Sequence, residues 1–483
     1  MSIATRVAAG EWQHLIRTRL ALTVIVMMLA LIAMAAGTSA IQLSNEAQVR
    51  ASYQQEADEA FRNQPARHPH RVVHYGHYVF RNPAPLSTID PGVDTFTGRS
   101  IFLEGHRRNT ATFAEARETS VLTRFGAVSP AFMLQVITPL LLILIGYGSV
   151  VRERERGTLL QLVAQGVSPS TLIKGKALAI GGVATLAAAP LLIAVLWLVI
   201  SYPSELLSAL VMLSGHLLYL AFWVMLIVAV SAYAKTARTA LITLMILWAA
   251  STILIPRIAA DVAASVYPSQ TQTEMDILIQ RDMRTVGDSH NINDAGFQSF
   301  QQQVLEQYGV SRIEDLPVNY RGLVSLQGEE AGSAVMNRYA GELHAIQRQQ
   351  STVMNVFSLV SPYLAIRNLS MRAAGTDLIN HQRFLDEAEA HRYALIQELN
   401  TLHAHELDFA DDAQRSVNSE AEQRTRVNPE FWQRLQSFSF APSAISERLL
   451  SASPLLVILL LWLMLATGLI RKIADKAGKA GKA

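Results

Sequence analysis

The chain has 483 residues, of which 50% are hydrophobic, and its mean hydropathy is +0.22. A chain this apolar is not an ordinary water-soluble protein. Its formal net charge of +2 gives no indication of a nucleic-acid-binding surface, and the absence of cysteine excludes disulfides, thiolate metal sites and a cysteine nucleophile.

The N-terminal segment, residues 1–19, is predicted to form an amphipathic helix. Val7, Trp12 and Leu15 can share one helical face, and Arg6 falls away from it. A helix of this kind lies flat at the membrane surface. The alternative is a charged flank that only sets the orientation of the following span.

Six apolar stretches are long enough for transmembrane helices, which need roughly 20 mostly apolar residues. They comprise residues 20–44, 125–151, 177–202, 206–234, 238–258 and 449–470. The first is longer than the roughly 7–15 residues of a signal-peptide core, so we expect a span rather than a cleaved signal. The predicted fold class is an α-helical membrane protein with six transmembrane helices, an N-terminal amphipathic elbow helix and a large mixed, mainly helical periplasmic domain built from two insertions.

Basic residues in the short loops predict the orientation of these spans. Lysine and arginine concentrate in cytoplasmic loops, and every lysine lies in residues 152–176, at Lys235 or in the basic tail 471–483. Both termini are therefore expected in the cytoplasm and the insertions 45–124 and 259–448 in the periplasm, as in a multi-pass protein of the bacterial inner membrane. The tail can also attract anionic membrane lipids.

The first insertion contains histidines that raise the question of a metal site. They are His68, His70, His74, His77 and His106. Histidine and the nearby Glu104 are side chains that can bind zinc. However, Arg67 and Arg71 flank the first pair, and His74 and His77 would face opposite sides if they lie on a strand. We therefore expect structural or surface histidines and no metal, with a metal site as the alternative.

The loop at residues 152–176 carries the most distinctive pattern of the chain. It opens with alternating charges, and a Gly-Thr pair at 157–158 leads into a short apolar helix over residues 159–164. The sequence Gly-Val-Ser-Pro at 166–169 ends that helix. A loop between two spans needs no amphipathic helix unless another protein docks on it, so we interpret the loop as a docking surface.

The fourth apolar stretch contains a histidine well inside the predicted span, His216. An ionisable residue within a membrane is a functional hypothesis by default. The alternative is a neutral imidazole that is only hydrogen-bonded.

The second insertion is mainly helical in its pattern. Residues 298–308, 329–360 and 378–406 carry apolar side chains at spacings of three and four. An apolar stripe on the last of these is suited to packing against another helix.

Motifs for catalysis are missing from the sequence. It contains no G-x-x-x-x-G-K-[ST] phosphate loop, no G-x-S-x-G nucleophile elbow and no H-E-x-x-H zinc motif. We therefore expect that the chain is not an enzyme and that any ATP hydrolysis takes place in another polypeptide.

The loop resembles the coupling helix of type-2 ABC exporter permeases. The run E-R-x-x-G-T-L at 153–159, the G-K pair at 175–176 and the segment 90–106 are similar to the branch of that family with large periplasmic insertions. The matching residues of the segment are Asp90, Pro91, Gly92, Glu104 and His106. The resemblance implies contacts with an ATP-binding cassette at Glu153, Arg154, Glu155, Gly157, Thr158, Leu159, Lys174 and Lys176.

The resemblance also implies partners. ATP and Mg would bind to a separate ATP-binding cassette subunit, and two cassettes require a dimer, made with a second permease copy or a sister permease. A periplasmic protein or a lipoprotein is a further expected partner, and no cofactor is expected in this chain itself. The alternative function is a non-transporting receptor or scaffold whose periplasmic helical domain binds a partner protein.

Overall fold

The computed structural model describes residues 2–111, 128–434 and 436–480, most of which are helical. Six helices of this part are long and apolar enough to cross a membrane, which confirms the prediction of an α-helical multi-pass membrane protein. In chain order, spans one to six are Ala21–Arg62, Pro130–Glu155, Pro169–Ser201, Pro203–Tyr233, Ala237–Val266 and Ile445–Lys476. The expected boundary at residues 124–125 and the last three residues of the tail lie outside the described residues.

The first span continues far beyond its apolar part. It belongs to a single helix, Arg19–Arg62, of 44 residues, which at 1.5 Å per residue is about 66 Å long. The hydrocarbon core of a bilayer is only about 30 Å thick. The polar second half of the helix therefore projects from the bundle and leads into the first insertion.

The N-terminal helix, Ile3–Arg17, packs along the third span. Leu15 is buried, and the ring of Trp12 lies beside Gly182. The segment is helical as predicted, and part of its apolar face packs on the third span.

Two spans contain a π-helical turn next to a proline. The wide turn covers Met133–Ile137 before Pro139 in the second span, and Ala250–Leu254 before Pro256 in the fifth. Proline cannot donate the usual backbone hydrogen bond, and a wide turn accommodates its ring. The third span, by contrast, continues as a regular helix past Pro190.

The second and fourth spans form the centre of the bundle. Each buries more than half of its most apolar stretch, whereas the other four spans bury less than half of theirs. Tyr219 and Trp223 of the fourth span are among the largest fully buried side chains in the described part of the chain. The fifth and sixth spans leave apolar side chains exposed, on which lipid or another membrane helix can pack.

The two insertions form one domain, which we call the insertion domain (residues 46–111 and 267–444). Its strands, β1 (His77–Phe80) and β2 (Ser100–Leu103), pair in antiparallel orientation. Its helices that lie apart from the bundle are Pro69–Val73, Gln272–Val286, Gln298–Tyr308, Tyr320–Val356, Leu378–Glu406, Phe409–Gln414, Ser419–Arg424 and Glu430–Gln433.

The long helices Tyr320–Val356 and Leu378–Glu406 give the insertion domain its core. They pack antiparallel, because Gly322 meets the backbone of Ala404 at one end while Gln382 bonds to the carbonyl of His344 toward the other. The strands of the first insertion pack on the second of these helices in a shared hydrophobic cluster. The two insertions therefore fold together rather than separately.

One helix of the second insertion, Pro362–Ala374, packs against the spans, and we call it the interface helix. Its Ile366 and Leu369 lie against Gly215 of the fourth span. Arg372 donates a hydrogen bond of 2.5 Å to a backbone carbonyl of the sixth span. The second insertion is thus joined to the bundle by packing as well as by chain connection.

A buried ion pair strengthens the same junction. Arg448, at the start of the sixth span, lies 2.8 Å from Glu205 in the hairpin between the third and fourth spans. Arg448 also donates to the carbonyl of Ala373 in the interface helix at 3.1 Å. The start of the fourth span, the start of the sixth span and the end of the interface helix therefore meet at one guanidinium group.

Candidate functional site

The loop between the second and third spans has the local structure that its sequence predicts. Helix Thr158–Ala164 follows Gly157, whose φ of 72° lies in the left-handed region that side chains disfavour. Gly166, with a φ of 86°, ends the helix. Ser168 then caps the helix of the third span with its side chain.

The helix Thr158–Ala164, which we call the loop helix, presents apolar side chains to solvent. Leu160 is 76% exposed and Val163 is 37% exposed. None of its seven residues, all of which the structure describes, is buried. Exposed apolar side chains on a helix of this kind are suited to contact with another protein.

The charged residues around the loop helix connect it to three other parts of the chain. The ammonium group of Lys176 lies 2.6 Å from a carboxylate oxygen of Glu11 in the N-terminal helix and 2.8 Å from one of Glu153 at the end of the second span. Glu153 also accepts a hydrogen bond of 2.5 Å from the hydroxyl of Thr158. Lys176 is only 5% exposed, so the structure places it inside this ion triad rather than on the outer face of the loop.

Gly175 explains how the N-terminal helix reaches Lys176. A Cβ atom at this position would lie 2.6 Å from Val7 and 2.8 Å from the carbonyl oxygen of Ala4. Glycine therefore permits the close approach of the two helices. The structure therefore explains both Gly175 and Lys176 of the G-K pair.

Arg154 and Glu155 connect the loop to the turn between the fourth and fifth spans. Arg154 donates to the carbonyl of Ala232 at 2.7 Å and to that of Ala234, where a helix leaves carbonyls without partners. Glu155 accepts a hydrogen bond of 2.8 Å from the amide of Ala237 at the start of the fifth span, where a negative charge is favourable. The remaining predicted contact residues differ in exposure, since Leu159 is half-buried and Lys174 is exposed.

His216 is completely buried between the second and fourth spans. Its Nδ1 lies 2.8 Å from the carbonyl oxygen of Met212, and its Nε2 lies 3.2 Å from the side-chain nitrogen of Gln135. A neutral imidazole satisfies both contacts, with Nδ1 as the donor and Nε2 as the acceptor. The contacts therefore match the hydrogen-bonded interpretation of this residue.

The segment at Asp90, Pro91 and Gly92 joins the second span to the interface helix. The carbonyl of Asp90 accepts a hydrogen bond of 3.0 Å from the hydroxyl of Thr376, just after that helix. Gly92 packs so closely on Thr376 that a Cβ atom would lie 2.3 Å from its carbonyl oxygen. One residue before the segment, the carbonyl of Ile89 accepts from the amide of Ala131 at the start of the second span.

Comparison with known families identifies one part of the chain. Residues 272–441 match the family described as "Domain of unknown function (DUF3526)". This DUF3526 region contains the interface helix and both long helices of the insertion domain. No curated protein and no solved structure matches the chain.

Histidines from the first insertion meet one from the DUF3526 region. His70, His74 and His106 lie together with His290, and their potential ligand atoms are all within 4.8 Å of one another. Sequence reasoning missed this group because it compared the spacings at 68–70 and 74–77. The i, i+4 pair at 70 and 74 was the available signal, whereas nothing in the sequence pointed to His290.

Two further residues that the sequence suggests as metal ligands, His77 and Glu104, have other contacts. His77 lies on β1, and its ring packs against Phe61. Glu104 accepts a hydrogen bond of 3.2 Å from the side chain of Asn109. The argument that His74 and His77 would face apart on a shared strand does not apply, because His74 ends the preceding helix and only His77 lies on β1.

Proposed function

We propose that the chain is the permease subunit of a type-2 ABC exporter, in which the loop helix receives the movement of a separate ATP-binding cassette. The observation that carries the proposal is the pairing of an exposed apolar face on the loop helix with polar contacts at its base, among which Lys176 is buried. Leu160 and Val163 face outward. Behind them, Arg154, Glu155 and Lys176 bind the N-terminal helix and the ends of four spans.

These contacts would let a push on the loop act on the whole bundle. Packed helices move as rigid bodies rather than deform continuously. Because Lys176 lies in the third span and pairs with the end of the second, a shift of the loop displaces both spans together. Arg154 and Glu155 extend that displacement to the fourth and fifth spans.

The same route reaches the insertion domain. The start of the second span is hydrogen-bonded to Ile89. The residue after Ile89, Asp90, is hydrogen-bonded to Thr376, which lies just after the interface helix. Movement of the second span would therefore be transmitted to the DUF3526 region. The output of the pump is movement of a substrate, of the insertion domain, or of both.

The proposal includes an orientation and a set of partners. Both termini and the loop helix lie in the cytoplasm, and the insertion domain lies in the periplasm of a bacterium, in accordance with the lysine distribution. The cassette subunit supplies ATP and Mg, and a second permease, identical or a sister chain, completes the dimer. A periplasmic protein or a lipoprotein is the proposed partner of the insertion domain.

The competing function is a receptor or scaffold whose insertion domain binds a partner. The size of the insertion domain supports it, since this domain includes both long helices. That function leaves unexplained why ion pairs and hydrogen bonds join the base of the loop helix to the N-terminal helix and to the ends of the spans.

Co-purification tests the proposal. The chain is expressed with a candidate ATP-binding cassette subunit, and the wild type is compared with Leu160→Glu combined with Val163→Glu. Val417→Glu is the matched control, because Val417 is also apolar and 87% exposed but lies in the insertion domain. We expect the cassette to co-purify with the wild type and the control and to be lost from the double variant. Retention in the double variant, or absence of any cassette from the wild type, would contradict the proposal.

A further inference from the structure

The four clustered histidines come from three separate segments of the insertion domain. His70 lies in helix Pro69–Val73 and His74 immediately follows it, so the two are one helical turn apart. His106 lies in the turn after β2, and His290 lies in the loop after helix Gln272–Val286. Such convergence from distant parts of the chain is typical of a binding site.

The distances between the ring nitrogens fit a tetrahedral metal. The Nε2 atoms of His70 and His74 are 3.1 Å apart, and those of His74 and His290 are 3.5 Å apart. Zinc–nitrogen bonds of about 2.0–2.1 Å in a tetrahedron place neighbouring nitrogens about 3.3–3.4 Å apart. A hydrogen bond between imidazoles could explain one close pair, but His74 has a single Nε2 proton and cannot donate to both neighbours.

Carboxylates orient two of the rings from outside. Nδ1 of His106 lies 3.0 Å from Glu329, and Nδ1 of His290 lies 3.1 Å from Asp288. This leaves Nε2 of His106 buried and without a hydrogen-bond partner among the described residues. Metal-bound histidines characteristically donate their other ring nitrogen to a carboxylate in this way.

Two carboxylates beside the cluster, Glu329 and Asp288, favour a cation among the rings. The arginines that argued against a metal are directed elsewhere, since Arg67 stacks over the ring of Tyr75 and Arg71 faces Glu422.

A second buried group, His68, His403 and Asp412, is better explained as a hydrogen-bonded network. Asp412 lies 3.1 Å from His68 and 2.8 Å from His403, and it also accepts from Asn319 at 3.1 Å. The guanidinium group of Arg415 lies 3.3 Å from the same carboxylate. Donors and a fixed positive charge already occupy the oxygens that a metal would need.

We propose that His70, His74, His106 and His290 bind one zinc ion and that this ion fastens the first insertion to the DUF3526 region. Imidazole is a good ligand for zinc, as it is for copper, iron and nickel, and a closed set of four protein ligands is typical of structural zinc sites. The proposal goes beyond the permease function and holds whichever partner the spans have. It replaces the expectation that these histidines bind no metal.

Metal analysis of the full chain tests the site. The protein is purified in detergent with an affinity tag that contains no histidine, stripped with a chelator, dialysed against zinc chloride and measured by mass spectrometry of the metal. We expect about one zinc per wild-type chain and background levels in His74→Ala and His290→Ala. His405→Ala is the control, since His405 is an exposed histidine of the same domain outside the cluster, and it should bind zinc as the wild type does.

Two further measurements keep the proposal testable if a histidine variant fails to fold. Asp288→Asn, at an exposed carboxylate, should fold and bind zinc about 10–100-fold more weakly. Cobalt(II) in place of zinc should give the visible absorption bands of a tetrahedral complex in the wild type and none in His74→Ala. Clearly substoichiometric zinc in the wild type, equal zinc in His74→Ala, or equal loss in His405→Ala would overturn the proposal.

Discussion

At the scale of single residues, the loop depends on one lysine that is shared by two acids. Lys176 compensates Glu11 and Glu153, which come from different helices. Without the ammonium group, two carboxylates would face each other in a largely buried place. Lysines 174 and 176 look equivalent in the sequence, yet the first is exposed and the second is buried.

Replacing Lys176 should therefore destabilise the protein far more than replacing its neighbour. Removal of one partner from a buried ion pair costs about 3–5 kcal/mol, and because Glu153 is 26% exposed we expect Lys176→Ala to fall near the lower limit. Lys174→Ala, at an exposed position, should change stability by less than about 0.5 kcal/mol. Thermal unfolding in detergent measures both variants. Equal melting temperatures for the two would show that the triad has no stabilising role.

At the scale of elements, the contact between the N-terminal helix and the third span depends on the absence of a side chain. Gly175 and Gly181 lie in the same helix, but only Gly175 touches the N-terminal helix. A Cβ atom at Gly181 would meet open space. The two glycines thus provide a matched comparison.

Gly175→Ala should loosen the N-terminal helix, because the new methyl group would overlap Val7 and the backbone of Ala4. Overpacking of this kind costs about 1–3 kcal/mol, so the melting temperature should fall and the cassette should be captured less efficiently. Gly181→Ala should be neutral or stabilising by up to about 1 kcal/mol, since alanine favours the helix. Equal melting temperatures for Gly175→Ala and Gly181→Ala would contradict the role of Gly175 in the contact between these two helices.

The sequence predicts those elements that depend on local signals. The apolar stretches give the six spans, and the glycines and the Ser-Pro pair give the bounds of the loop helix. The pairing of Lys176 with Glu11 could not be predicted, because 165 residues separate them and their contact depends on how the N-terminal helix packs. His290 is a similar case, since only the fold of both insertions brings it to His74.

At the scale of the whole molecule, the described contacts form a continuous connection from the loop helix to the insertion domain. It passes through the second span, the bonded pairs at Ile89 and Thr376, and the interface helix. A helix bundle that only anchored a receptor would not require this connection to begin at an exposed apolar loop. We therefore propose that the loop helix is the contact site for an ATP-binding subunit.

Site-specific cross-linking tests this claim most directly. The chain contains no cysteine, so a single cysteine introduced by Leu160→Cys can carry a photoreactive cross-linker in native membranes, with Val417→Cys as the control in the insertion domain. We predict that the cross-linker at Leu160 captures a protein with an ATP-binding cassette, identified by mass spectrometry, and that the control does not. Failure of the Leu160 cross-linker to capture a cassette subunit from membranes that contain one would contradict the account.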